Sequence, residues 1–304
     1  MTRALTIRAR RERERLRTGA ARALLSIAAT AVTVLATAGS VWAWGDVGHK
    51  VVCEIAFQEL SDRARAEVVR LIRKDREFKT FSSSCVWPDH PKQRETEHYI
   101  NVPRDFVAFA ADQCPGRGRC LLSAIGEDLK VLTTPGSSDQ ARLRSLKFLG
   151  HWIGDLHQPL HVSFADDRGG TRIADDNGVC AADLHGVWDW CIIEQTMGDD
   201  ARAIARQLRE TITGADRAAV QSGHAHDWAT ESLAVARKAS VFYCIQNGNA
   251  CDYAAGRPTY RSGSRERVVK VDAAYLDAHR ADVAGQLKRG GIRLAYLLNK
   301  AFGP

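Results

Sequence analysis

No Cys-x-x-Cys pair occurs among the eight cysteines of this 304-residue chain, and stretches that alternate apolar with polar residues are scarce. The first absence argues against a zinc-finger site, and the second against a fold built from half-buried strands. Beyond residue 43 the chain also lacks internal repeats, low-complexity tracts and any real charge excess. Residues 1–43 contribute 8 Arg and 2 Glu, so the remainder has 35 basic and 34 acidic side chains, a net of +1 against +7 for the whole chain. The basic character of the full sequence therefore gives no global field for attracting a polyanion. Any affinity for phosphate must come from local charges or from metals.

What is present begins with a leader. Arg3, Arg8, Arg10, Arg11, Arg13, Arg15, Arg17 and Arg22 form a basic region, residues 23–38 an apolar one, and Val41-Trp42-Ala43 a stretch that suits a signal peptidase. The apolar run is short and interrupted by Ser26, Thr30, Thr33 and Thr37, which disfavours a permanent membrane anchor. The charged residues after Arg10-Arg11 favour an ordinary export signal over a twin-arginine one. The expected division is a signal peptide over 1–43 and one domain over 44–304, delivered to the periplasm or the medium. An even number of cysteines in an exported chain suggests disulfides. Cys53 with Cys85, Cys114 with Cys120, and Cys244 with Cys251 are reasonable pairs, although sequence leaves the connectivity open.

The 261 residues after the leader suffice for one large core. Apolar residues recur at three- and four-residue spacing over 51–60, 64–72, 121–132, 141–156, 201–208, 228–241 and 274–302, which predicts an all-α domain. Ser61-Asp62 is placed to cap the second helix, and residues 135–139 separate two others. Gly290-Gly291 is expected to break or kink the last helix, and the polar, Gly-rich stretches 163–183 and 245–271 are expected to be loops.

The chemistry gathers in the middle of the chain. His151 and Asp155 are four apart, which on a helix places both on one face, within reach of one metal ion. Pro159 ends that helix and His161 follows in the turn. His185 and Asp189 repeat the spacing, while Asp89 and His98 add a carboxylate and an imidazole upstream. One such pair is more often a surface ion pair. Two pairs, a further His and an upstream Asp/His, all among apolar and aromatic neighbours, make metal binding the cheaper explanation for carboxylates in such surroundings. A free α-amino group is a ligand too. Cleavage after Ala43 would make Trp44 the N-terminus, able to chelate through its amine and carbonyl oxygen with His49 nearby.

Trp44-Gly45-x-x-Gly48-His49, Trp87-x-Asp89, His98-Tyr99-x-Asn101, His151-x-x-x-Asp155-x-x-x-Pro159-Leu160-His161 and His185-x-x-x-Asp189, in this order, resemble the S1/P1 nuclease family of secreted zinc nucleases. The likeness runs from Trp44 to Gly290-Gly291-Ile292-Arg293-Leu294-Ala295. It implies a mostly helical fold shared with zinc phospholipase C, three Zn2+ ions in a cleft, and cleavage of single-stranded DNA and RNA to 5′-nucleotides, with mononucleotides as further substrates. It assigns one zinc to Asp89, His98, His151 and Asp155. A second goes to Trp44, His49 and the shared Asp155, and a third to His161, His185 and Asp189. The catalytic candidates are thus Asp155 and Asp89, with Lys92 as a point charge for phosphate. The ligand types alone would also admit manganese or iron. His90, His157, His224, His226 and His279 match no ligand position.

The same resemblance puts Tyr99 beside the cluster as a base-stacking ring, against an ordinary core tyrosine. Asn101 stands where fungal members carry an Asp that binds a base, and Gly169-Gly170-Thr171 replaces the usual Gly-Gly-Asn. Zinc phospholipase C is the main competing reading. There the last ligand pair ends in Glu and follows the preceding His more closely, whereas His185 here lies 24 residues after His161 and the pair ends in Asp189. A secreted metal-binding protein without catalysis is the other alternative, disfavoured because the third site supplies three ligands where closed structural sites supply four.

Overall fold

The structure is a computed structural model that describes residues 44–176, 178–247, 250–252 and 267–303, with backbone only at 245–247, 250–252 and 267. The leader expected over residues 1–43 lies outside the described residues. The chain that follows is mainly helical. Helices α1 (Asp46–Gln58), α2 (Asp62–Ile72), α3 (Phe81–Ser84), α4 (Leu121–Thr133) and α5 (Asp139–Leu156) make the first half. α6 (Leu184–Gly186) runs through a wide turn at Val187–Cys191 into α7 (Ile192–Thr196), followed by α8 (Ala201–Glu210), α9 (Gly214–Val220), α10 (Ala225–Ala236) and α11 (Ala273–Phe302). Capping follows the sequence: Ser61 accepts the amide of Ala64, and Ser138, after the Pro135-Gly136 turn, accepts that of Ala141.

α11 departs from expectation. It is one unbroken helix of 30 residues that runs through Gly290-Gly291. A Cβ on Gly291 would lie 2.4 Å from Cγ2 of Ile55, and one on Gly290 would lie 3.3 Å from both Val52 and His157. The glycines let α11 approach α1 closely, and that packing gain outweighs a helix-propensity penalty of about 1 kcal/mol per Gly.

The stretches expected to be loops contain short strands. Strand β1 (Ile100–Val102) pairs in parallel with β2 (Val162–Phe164), β3 (Ile173–Asp175) with β6 (Arg267–Val269), while β4 (Ile245–Asn247) and β5 (Ala250–Asp252) are antiparallel. The register Ile100↔Val162 has a direct consequence, because β1 begins two residues after His98 and β2 one residue after His161. The pairing sets the two ligand candidates side by side.

Disulfides Cys53–Cys85 and Cys114–Cys120 form as expected, and Cys180–Cys191 is a third. Cys244 is disulfide-bonded, and its expected partner Cys251 lies outside the described side chains. Cys53 is one helical turn after His49, and Cys85 is four residues before Asp89. This cross-link, spanning 32 residues, ties two candidate ligand segments together and removes about 3–4 kcal/mol of unfolded-state entropy. Gly150, one residue before His151, admits the bridge, since a Cβ there would lie 2.6 Å from Sγ of Cys85.

Candidate metal centre

Eight side chains from six segments converge: His49 from α1, Asp89, His98, His151 and Asp155 from α5, His161, and His185 with Asp189 from α6 and its wide turn. All but Asp89 are buried, and Asp89 is nearly so, its side chain 5% exposed. His98 Nδ1 lies 3.1 Å from His151 Nε2 and 3.5 Å from Asp89. His151 Nε2 lies 3.6 Å from Asp89, and Asp155 Oδ2 closes the figure at 3.2 Å from His98 and 3.4 Å from His151. Ligand atoms at 2.0–2.1 Å from a tetrahedral zinc would stand about 3.3 Å apart. These His–His and His–Asp spacings lie close to that.

The second group has His161 Nε2 3.1 Å from His185 Nε2, with Asp189 at 3.5 and 3.4 Å from the two rings. It is a triangle, with no fourth His, Cys, Asp or Glu in the group among the described residues. Asp155 Oδ1 faces His49 Nε2 at 3.4 Å and His161 Nδ1 at 3.6 Å, so this one carboxylate faces four histidines of the cluster, His49, His98, His151 and His161.

Hydrogen bonds behind the rings fix which nitrogens point inward. His151 Nδ1–H donates to the Cys85 carbonyl at 2.7 Å, His98 Nε2–H to that of Gln93 at 2.8 Å, His161 Nδ1–H to that of His98 at 2.6 Å, and His185 Nδ1–H to that of Gly169 at 2.7 Å. Each ring spends its proton outward, which leaves lone pairs facing lone pairs at 3.1 Å. Backbone-oriented imidazoles of this kind are typical of metal ligands. Both ring nitrogens of His49, both carboxylate oxygens of Asp155 and Oδ1 of Asp89 are buried with no hydrogen-bond partner. Each such orphan costs roughly 1–3 kcal/mol unless something satisfies it. A cation among them does so, and a donor set of imidazole and carboxylate without thiolate suits zinc.

Burial keeps the imidazoles uncharged and makes the carboxyls hold their protons more tightly than usual. Burial pushes Asp89 up to about 6, Asp189 up to about 7 and Asp155 well above the usual carboxylate range. Burial likewise lowers His151 to about 3, His161 and His185 to about 4, and His49 and His98 further. The His–Asp contacts are therefore not ion pairs of imidazolium with carboxylate. Lys92, exposed and bridged through backbone to Asp89, favours the ionised form of all three acids.

Trp44 is fully buried, its Cβ against Gly48, where a Cβ would come within 2.9 Å. The next residue, Gly45, donates its amide to the Asp189 carbonyl at 2.7 Å, so this segment lies against the His161–His185–Asp189 group. Tyr99 and Asn101 are both half-buried and alternate with buried Ile100 and Val102, so they share the outward face of β1 directly after His98. Tyr99 is thus not a core residue. The remaining histidines stand apart: His90 contacts Asp46, His226 and His224 face Asp112, and buried His157 and His279 bond to the carbonyls of Ile153 and Ser240.

Several residues that shape the site carry no spacing signal. Gln158 is fully buried, donates to Asp189 Oδ1 and accepts the Leu160 amide, so it fixes Asp189 and the turn to His161 together. Gly154 leaves room for the His49 ring, since a Cβ there would lie 2.5 Å from Nδ1. Gly169 and Gly170 have φ of +67° and +90°, and a Cβ on Gly169 would meet the Leu160 carbonyl at 2.6 Å. That turn presents the carbonyl that receives His185. It is held in turn by Asp167, which accepts from Gly170 N and from the Tyr243 hydroxyl.

The model of the family described as S1/P1 Nuclease matches residues 44–303. Endonuclease 2 of Arabidopsis thaliana is 30% identical over 290 residues, 90% of this chain and 95% of its own length. Nuclease S1 of Aspergillus oryzae is 27% identical over 64% of this chain and 70% of its own length. Nuclease P1 of Penicillium citrinum is 25% identical over 86% and 98%. With the all-α fold and the buried His/Asp groups, these matches identify the chain as a member of the S1/P1 nuclease family, a hydrolase of phosphodiester bonds.

Proposed function

We propose that the chain is exported, cut after Ala43, and loaded with three zinc ions to hydrolyse single-stranded DNA and RNA to 5′-nucleotides, with mononucleotides as additional substrates. The observation that supports it most is the His161–His185–Asp189 triangle beside the Asp155-centred group. Three ligand atoms at tetrahedral spacing, with no fourth His, Cys, Asp or Glu in the group among the described residues, suit a catalytic site better than a structural one.

When bound, zinc supplies Lewis acidity toward phosphate oxygens and lowers the pKa of water. The chain's own residues do the rest. Asp155 links the two ligand groups, and the freed amine and carbonyl of Trp44 join it with His49. Lys92 at the rim draws in the phosphate as a point charge. Tyr99 offers a ring to an unstacked base, and Asn101 on the same face offers an amide to its edge. Duplex resists this arrangement, because unstacking a base costs a few kcal/mol. The test is digestion of single-stranded DNA and of phosphatidylcholine in parallel, each with chelator and with zinc restored. Zinc-dependent loss of the DNA alone is expected, and cleavage of the lipid alone would replace this reading with a phospholipase.

A further inference from the structure

Charge is unevenly spread over the chain beyond residue 43, where basic and acidic side chains nearly balance. Between residues 70 and 79 five basic side chains stand against two acidic ones, at the end of α2 and in the loop beyond it. This segment meets the start of α5 at a surface groove of about 900 Å³ whose walls include Lys74, Arg76, Trp87, Gln93, Arg144 and Lys147. Two of the cations are already balanced: Lys147 lies 2.9 Å from Asp75 and 3.9 Å over the Trp87 ring, and Lys74 lies 2.9 Å from Asp139. Arg76 and Arg144 are exposed and make no ion pair among the described residues. Arg144 lies 5.4 Å over the Phe148 ring, and the two arginines are the groove's cations without a carboxylate partner among the described residues.

The groove adjoins the cluster through its own wall. Trp87 is two residues before Asp89, at most about 7 Å of chain. Gln93 gives its side-chain amide to the Trp87 carbonyl at 3.3 Å and its own carbonyl to His98. A strand whose scissile phosphate sits at the metal ligands has further phosphates to place, and a cationic groove backing onto the Asp89–His98 loop can take them.

We infer that this groove binds the sugar-phosphate backbone of the substrate strand at nucleotides beyond the scissile bond, with Arg76 and Arg144 as the phosphate contacts. The inference rests on the nuclease reading above. It predicts that affinity grows with strand length through these residues, without sequence preference.

The test compares the parent with the double variant Arg76→Glu/Arg144→Glu on an oligonucleotide of about 20 residues and on a dinucleotide. The KM for the longer strand should rise roughly tenfold or more at low salt with kcat unchanged, and the slope of log KM against log salt should fall by about 1.4 for two lost phosphate contacts. Dinucleotide cleavage should stay at the parent level. The milder pair Arg76→Gln/Arg144→Gln should show a smaller shift in the same direction, which guards against a misfolded variant. An unchanged KM and salt slope on the long strand, or an equal loss on the dinucleotide, overturns the groove. So does impaired binding to phosphatidylglycerol vesicles with normal oligonucleotide kinetics, which would mark a membrane-facing patch. A parent that cuts neither substrate refutes the nuclease reading itself, a result distinguishable from failure of the groove alone.

Discussion

Nε2 of His161 and Nε2 of His185 face each other 3.1 Å apart, each ring having given its Nδ1 proton to a backbone carbonyl. Two lone pairs at that distance repel, and neither imidazole protonates readily, because burial holds both near 4. A cation between them turns that repulsion into attraction. Stripping zinc with a chelator should lower Tm by roughly 5–15 °C, the equivalent of one site saturated at 100–1,000 times its Kd. Calorimetry with and without zinc checks this, and identical transitions would show that the rings are not ligands.

Proton competition sets the pH dependence of loading. Asp189 and Asp89 are raised to about 7 and about 6, so in the metal-free protein they begin to hold protons as pH falls through that range, and zinc must displace them. The imidazoles, lowered to about 3–4, compete only in stronger acid. Zinc affinity should fall by up to about tenfold per carboxyl for each pH unit below its pKa. Competition with a chromophoric chelator from pH 8 to 5 measures it. A loss starting only below pH 4 would assign the dependence to histidine instead.

Gly154→Ala should improve helix propensity by up to about 1 kcal/mol yet lose about 1–3 kcal/mol to overpacking, because its Cβ would stand 2.5 Å from His49 Nδ1. Zinc content should drop with stability. Gly285→Ala on α11, where only the flexible end of Arg289 approaches, should be stabilising. If both variants behave alike by thermal melting and metal analysis, His49 is not held where the account requires it.

Gln158→Ala removes the donor that fixes Asp189 and should weaken zinc at the His161–His185–Asp189 group by about 10–100-fold. Asp155→Asn should be worse than any other single ligand change, since both oxygens of this residue face histidines of the cluster. His157→Ala is a poor control for it: the ring is buried and bonded to Ile153 and Arg293. Exposed His224→Ala serves better, and metal content and kcat equal to those of Asp155→Asn would remove the support for a bridging role.

One residue added before Trp44 turns the proposed chelating amine into an amide. Zinc content and rate should both fall in such a protein, with the extension verified by mass spectrometry. Full activity with the extension intact would remove Trp44 from the ligand set.

The ligand candidates were legible because helical spacing is local: His151/Asp155 and His185/Asp189 announce one face from sequence alone. What supports them was not. Gln158 reaches Asp189 across 31 residues with no periodicity to mark it. The parallel pairing of β1 with β2 rests on three residues a side, too short for an alternating pattern to register. Gly290-Gly291 reads as a helix breaker only if its partner is ignored, and the close approach of Ile55 reverses the reading. Cys180–Cys191 is likewise decided by tertiary proximity.

The most direct test of the nuclease account is the chemistry of the ends produced from one short sequence offered as single-stranded DNA and as RNA. Hydrolysis by water at a metal cluster needs no 2′-hydroxyl, so both should yield 5′-phosphate and 3′-hydroxyl ends, with duplex cut more slowly. Cleavage of RNA alone, or cyclic or 3′-phosphate ends, would make the 2′-hydroxyl the nucleophile and contradict the account.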